Sequence, residues 1–482
     1  MSPVGRRIVV ASNRGPVSFG REASGRVVTT RGAGGLVTAV SHALAATGGL
    51  WIAAAMSEDD RSQAGRTIQV DAGGRGYQVR LLPFDPPDYE GYYDGISNRI
   101  LWFLHHALWD VPRAPTFEGL AEAWQGYLTV NEAFARALEE EGRSPRGGAV
   151  YLVQDYHLAL VPALLRERLP RAAIAHFSHI PFAGPTGLRI LPQPIREALL
   201  AGMLGADVVG FQAPAWAENF LLGCRTLQGT RVDLRRRVVR WGGRVVRVRV
   251  HPISIDPAGL REEAAADPAE AAARDILEWM GDRRLLVRVD RAELSKNILR
   301  GFLAYEKFLE GNPEWLGRIS FLALLNPSRQ HLPEYRAYTQ EAIELADRIN
   351  SRVGRADWEP IRLSLMDDHP RALAAYRLYD VLLVNPVFDG MNLVAKEGPV
   401  LNERDGVLIL SENAGASAEL GRHAIAVNPF DVEATGRAIA TAVEMGPAER
   451  RRRARGLRSA VARNPIDAWV RAQVEDLERM GR

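Results

Sequence analysis

The chain has 482 residues, 46% of them hydrophobic and 25% charged, with a formal net charge of +3. That length exceeds what one core usually fills, so two globular domains are expected, and so small a net charge excludes a polyelectrolyte built for nucleic acid. Nearly all the base is arginine, with Lys296, Lys307 and Lys396 the only lysines, and the lone Cys224 excludes an internal disulfide and fits a reducing compartment.

At the N-terminus, "MSPVGRRIVVASNRG" holds too short an apolar run for a signal peptide, and no later stretch is long and apolar enough to span a membrane. A cytoplasmic protein is the expectation. "RRIVVASN", "AVYLVQD", "AAIAHFSH" and "ADVVGFQ" follow one another through the first half, each leading through a turn into an amphipathic helical pattern. "VVRWGGRVVRVRV" (238–250) reads instead as a hairpin with a Gly-Gly turn. "HPISIDPAGL" carries two prolines and little helical pattern, which puts an inter-domain linker near 252–260. "RLLVRVD", "ISFLALL", "YDVLLVNP" and "GVLILSEN" then repeat the first pattern. Near-continuous apolar strands alternating with helices predict an α/β protein of two doubly wound domains with parallel sheets. The domains are expected over 1–255 and 256–460, with a C-terminal helix over 461–482 packing back on the first. The arginine runs at 231–250 and 447–464 lack aromatic interleaving, zinc spacing or a helix-turn-helix, so they read as solvated faces rather than a nucleic-acid surface.

The segment "VFDGMNLVAKEG" (387–398) carries the chemistry. After a strand at 379–386, Gly390 allows a tight turn and a helix starts from Asn392, whose free N–H groups suit a phosphate. Asp389 lies at the strand's carboxyl end, where its carboxylate suits sugar hydroxyls, and Glu397 lies one helical turn past Leu393, where it suits a ribose diol. A helix cap followed by a surface glutamate is the plain alternative. Pro399 is expected to kink or end that helix early. In "RVDRAELSKN", Arg291 and Lys296 stand at a strand end as two cations able to neutralise a diphosphate. Arg14 follows the first strand, and Gly34-Gly35 precede a helix.

With "SNRGPV", "AGGL", "YYDGISNRILW", "VQDYHL", "HIPF", "VDRAELSK", "NPSR" and "DGMNLVAKE" in this order, the sequence resembles the trehalose-6-phosphate synthases over nearly its whole length. These are retaining glycosyltransferases of family 20 with the two-domain GT-B fold, and the resemblance is to their actinobacterial members. The resemblance implies transfer of glucose from a nucleotide-glucose to glucose 6-phosphate, with no metal cofactor and small-molecule substrates as the partners; a homo-oligomer stays open. It implies an acceptor pocket of Arg14, Tyr93, Trp102, Asp155 and Arg329. On the donor side it implies His179 and Asp389 at the glucose, Gly34 and Gly35 against the donor, and Arg291 and Lys296 on the diphosphate. Gly390, Met391, Asn392, Leu393 and Val394 would complete the cradle, with Glu397 at the ribose. Each has a bland reading: core aromatics for Tyr93 and Trp102, a satisfied buried histidine for His179, a surface pair for Arg329.

Departures from the family pattern are Glu293-Leu294, Asn297 and Phe388. In "SLMDDHPRAL" (364–373), Asp367 or Asp368 stands near the base-recognition loop, where a carboxylate can pair with guanine N1–H and N2–H2; GDP-glucose is therefore expected ahead of UDP-glucose. The rival readings are a pseudo-glycosyltransferase coupling cyclitols, like validoxylamine phosphate synthase, and a non-catalytic sugar-phosphate sensor.

Overall fold

A computed structural model describes residues 7–21, 27–32, 35–72, 75–142 and 149–480. The chain divides into two compact units, one of residues 1–253 with 466–482 and the other of 254–465. The C-terminal helix Ile466–Glu478 belongs to the first unit, where it lies against the helix Gly35–Thr47 and two central strands.

Twelve strands belong to the first unit: β1 (Ile8–Ser12), β2 (Val17–Arg21), β3 (Val27–Arg31), β4 (Leu50–Ala54), β5 (Thr67–Ala72), β6 (Arg75–Leu82), β7 (Val150–Gln154), β8 (Ala173–Ser178), β9 (Val208–Phe211), β10 (Arg231–Asp233), β11 (Val238–Trp241) and β12 (Arg244–Val250). Ten of them form one sheet in the order β10-β11-β12-β9-β8-β7-β1-β4-β6-β5. From β12 to β6 neighbours run parallel, while β5 and the β10–β11 hairpin close the edges antiparallel. Strands β1, β4, β7 and β9 are buried at every position, as apolar runs covered on both faces must be. Strand order reverses direction between β1 and β7, so the crevice at their carboxyl ends is the natural ligand position.

The second unit holds β13 (Arg284–Arg291), β14 (Ile319–Asn326), β15 (Ile361–Ser364), β16 (Val381–Val384), β17 (Val407–Ser411) and β18 (Ile425–Val427) in the order β15-β14-β13-β16-β17-β18. All neighbours are parallel, and one core of strand and helix side chains from Leu286 to Val443 fills the unit. Here the switch point lies between β13 and β16.

The two doubly wound α/β units agree with the sequence reading, as does the 238–250 hairpin, whose Gly242 and Gly243 both take positive φ. The boundary between the units, after Ile253, falls within the stretch expected to link the domains (252–260), but a helix Pro257–Ala264 starts inside it where little helical pattern was expected. Asp256 accepts a hydrogen bond from the Ala258 amide as its N-cap, and a proline at the first helical position is a start signal, not a break. No described helix is long and apolar enough to cross a membrane.

Candidate active site

At the carboxyl edge of the first unit's sheet, β1 hands over to buried Asn13 and exposed Arg14. The Ser12 hydroxyl donates to the Arg14 carbonyl (2.7 Å) and accepts from Trp51 Nε1 (2.7 Å), fixing where Arg14 leaves the strand. Asn13 Oδ1 accepts from the Tyr89 hydroxyl at 3.1 Å. Tyr89 stacks on Tyr93 with ring centres 5.6 Å apart, and Tyr93 stacks on His157 at 5.9 Å. Tyr93 sits on an eleven-residue π-helix, Gly91–Leu101, a widened helical form common at functional sites. Trp102 follows it, buried and stacked on His106 at 4.0 Å, which gives it a place in the core as well as in the implied pocket.

Asp155 caps β7 with a positive φ of 72°, and its Oδ1 accepts from the His179 amide at 3.1 Å. The loops after β7 and β8 are thereby pinned together. The half-buried His179 ring has both nitrogens engaged: Gln212 Nε2 meets Nδ1 at 3.1 Å, and Nε2 meets Gln154 Oε1 at 2.9 Å. Gln212 Oε1 is taken by the Ile253 amide, so its nitrogen faces the ring; Nδ1 then accepts, and Nε2 carries the proton. Burial pushes the His179 pKa down to about 3, so the ring stays neutral and is no proton shuttle near neutral pH. Trp469 of the C-terminal helix packs against this ring at 5.4 Å.

In the second unit β13 ends at Arg291 and a short turn carries Lys296. Lys296 Nζ lies 2.6 Å from Asp389 Oδ2, which also accepts from Asn392 Nδ2 at 3.1 Å. Burial lowers the Lys296 pKa, but Asp389 and Asp290 outweigh it and the net direction is upward, so the ammonium is charged. Glu293, wholly buried, has Oε1 2.9 Å from Arg291, 3.4 Å from Arg329 Nη1 and 2.8 Å from Ser328 Oγ. Burial opposes its ionisation, yet Arg291, Arg329 and Lys296 prevail and bring its pKa to about 2. Three expected site residues, Arg291, Lys296 and Arg329, thus converge around a glutamate not expected in that role.

The loop after β16 is zipped to the loop after β17. Asp389 N–H donates to Asn413 (3.2 Å), Gly415 N–H to Asp389 (3.0 Å) and Ala416 N–H to Met391 (2.8 Å). A side chain on Gly415 would place its Cβ 1.9 Å from the Gly390 carbonyl, so this approach requires glycine. The left-handed residue of the turn is Asn392, at φ 74°. The helix begins at Val394, not Asn392, and runs two residues past Pro399 to Leu401. The amides of Met391, Asn392, Leu393 and Val394 meet no acceptor among the described residues, leaving a nest of donors beside Lys296 and Asp389. Half-buried Glu397 lies on that helix, its pKa raised by burial although a bond from Tyr376 opposes this.

Asp368 is already committed: its carboxylate caps the helix His369–Leu378, accepting from the Arg371 amide (3.0 Å) and from Arg371 Nε (3.1 Å). Asp367 is exposed beside Met366, itself 61% exposed. Gly34 lies outside the described residues, and Gly35 opens the helix Gly35–Thr47. Among the described residues no three or more His, Cys, Asp or Glu side chains gather as a metal site. The residues that sequence reading missed are Tyr89, His157, Gln154, Gln212, Ser328, Tyr335 and Trp469, each recruited from a segment far along the chain from its partner or without a motif of its own.

The profile of glycosyltransferase family 20 matches residues 6–479. The chain belongs to glycosyltransferase family 20. A trehalose-6-phosphate synthase of Mycolicibacterium vanbaalenii is 36% identical, over 98% of this chain and 96% of its own. A bifunctional trehalose-6-phosphate synthase/phosphatase of Thermoproteus tenax is 34% identical over 96% of this chain, which spans only 62% of that relative. Among solved structures, an α,α-trehalose-phosphate synthase (UDP-forming) from Burkholderia vietnamiensis superposes with a TM-score of 0.84 at 32% identity, covering 98% of this chain and 100% of its own. The fold of this family 20 chain is therefore GT-B.

Proposed function

We propose that this family 20 glycosyltransferase is an α,α-trehalose-phosphate synthase, transferring glucose with retention from a nucleotide-glucose to glucose 6-phosphate. The observation that carries the reading is the cradle of the second unit. Two cations, Arg291 and Lys296, and the amides of 391–394 converge at the sheet's switch point, and Asp389 stands beside them for sugar hydroxyls. The names of the full-length relatives support the same activity.

In this reading the C1–O bond to the diphosphate breaks, its electron pair passing to the phosphate oxygen. Arg291, Lys296 and the amide nest stabilise that growing charge more than they stabilise the bound donor, which is what lowers the barrier. The acceptor's anomeric hydroxyl oxygen bonds to C1 from the same face, and its proton goes to the departing phosphate oxygen. Neutral His179 has no part in that proton's path; it offers a fixed ring beside the donor glucose. On the first unit Arg14 and Tyr93 are the groups for the acceptor's phosphate, Asp155 takes a hydroxyl, and Trp102 backs that edge from its place in the core; on the second unit Arg329 is the phosphate contact. Glu397 takes the ribose.

For the base, Asp367 is the remaining carboxylate with an open face, and on it we place GDP-glucose ahead of UDP-glucose. The Burkholderia structure is named for the other donor, so the order has to be measured. Glucose 6-phosphate incubated separately with GDP-, UDP- and ADP-glucose should give α,α-linked trehalose 6-phosphate by NMR, fastest with GDP-glucose. No disaccharide phosphate from any donor sinks the activity; faster turnover of UDP-glucose sinks the base assignment alone.

A further inference from the structure

We infer that Glu293 is a positioning residue, whose single carboxylate gathers Arg291 from the end of β13 and Arg329 from beyond β14 into one two-cation unit for phosphorylated ligands. Its surroundings point that way. Oε1 alone takes Arg291, Arg329 and Ser328, while Oε2 is buried with no hydrogen-bond partner among the described residues. A carboxylate retained only for stability is expected to use both oxygens, because a buried, unpaired acceptor is a net cost.

Arg329 is also held in a strained state to reach it. Its φ is 47°, a left-handed conformation that non-glycine residues avoid, and its guanidinium donates to the Tyr335 hydroxyl at 2.9 Å. The Glu293 carbonyl accepts from the Lys296 amide at 3.0 Å, so the residue that collects the arginines also starts the turn bearing the third cation. Without the carboxylate, two guanidinium groups sharing one oxygen would repel and swing apart.

This rests on the proposed function, in which Arg291 holds the donor's diphosphate and Arg329 the acceptor's phosphate. Glu293 then sets both sites at once, and its loss is felt by both substrates.

The test compares wild type with Glu293→Gln and Glu293→Asp, using steady-state kinetics and calorimetric titration of GDP, UDP and glucose 6-phosphate. Glu293→Gln should lose about tenfold or more in affinity for a nucleoside diphosphate and for glucose 6-phosphate alike, and Glu293→Asp should recover most of both. Equal or tighter diphosphate binding by Glu293→Gln overturns the inference, since that is what removing a mere damper of the cations' field would produce. Loss confined to one ligand overturns it too, as does a lower Tm with unchanged affinities, the mark of a structural role. Should the wild type bind these ligands yet make no trehalose 6-phosphate, the proposed function falls while the titrations still judge Glu293. A wild type that binds none of them overturns both.

Discussion

The two switch-point edges of this chain are built from opposite materials. In the second unit the edge is dense in charge, and its charges are matched: Lys296 with Asp389, Arg291 and Arg329 with Glu293, Arg288 with Asp290. In the first unit the edge is mostly neutral and aromatic, with stacked Tyr89, Tyr93 and His157 and a His179 locked between two amides. The contrast fits a division of labour in which the second unit manages charge on a leaving group and the first supplies shape. It also means that each edge should fail in its own way.

Lys296→Ala should show the largest effect. Removing one donor to a developing anion typically costs about 10²–10³ in kcat, and Lys296 also compensates Asp389. Turnover should fall by about 10³ with the protein still folded by circular dichroism. Trp102→Ala in the first unit should instead show its main effect in stability, about 3–5 kcal/mol, because the ring is a core side chain. If the tryptophan variant lost turnover with undiminished stability and the lysine variant lost only stability, the division of labour would be wrong.

Acid separates the units next. Burial pushes His105 and His179 down to about 3 and His176 to about 4, from 6.5, and all three belong to the first unit. The unfolded chain therefore binds protons that the fold refuses. Their contribution to stability is full above pH 6.5 and falls with pH towards 4, by up to about 1.4 kcal/mol per pH unit for each histidine. In the second unit Glu293, lowered from 4.5 to about 2, keeps its contribution until pH drops below 4.5, and Asp290 is shifted upward by burial, which favours the fold in acid. His423 of that unit is also lowered by burial, but it is only partly buried. Between pH 6.5 and 4.5 the first unit should weaken more than the second. Urea titrations equilibrated at pH 7.5 and 5.0, each read by a brief deuterium pulse at one fixed pH, resolve the units by peptide. Equal losses in both would refute the histidine account.

How much of this was legible beforehand follows from what kind of signal each feature leaves. Strands such as "IVVAS" and "VLLV" could be read because burial on both faces writes itself as an unbroken apolar run. The cation pair could be read because Arg291 and Lys296 are close in sequence at a strand end. Glu293 was visible only as a departure from a family pattern; its meaning depends on Arg329, 36 residues on, which no local spacing reveals. The tautomer of His179 depends on Gln154 and Gln212, which lie 25 and 33 residues away in the chain, so no local spacing reveals it. The helix at Pro257 and the cap at Asp368 were legible in principle, since Asp-Pro and Asp-His-Pro are helix-start patterns, and were obscured by weighing proline as a breaker and aspartate as a ligand.

Asp367 and Asp368 carry the finest prediction. Two adjacent carboxylates stand near the proposed base site, and the structure gives them different surroundings. Asp368 holds the first turn of the helix His369–Leu378 through the Arg371 amide, so Asp368→Ala should cost about 1 kcal/mol in urea unfolding. Its donor preference should stay unchanged. Asp367 is exposed, so Asp367→Ala should leave stability within about 0.5 kcal/mol. If Asp367 reads guanine, its loss removes a charge-assisted pair, and the ratio of kcat/KM for GDP-glucose over UDP-glucose should fall by about tenfold. An unchanged ratio in Asp367→Ala, or a shift in Asp368→Ala alone, would mean that the base is read elsewhere and that both aspartates serve only the loop.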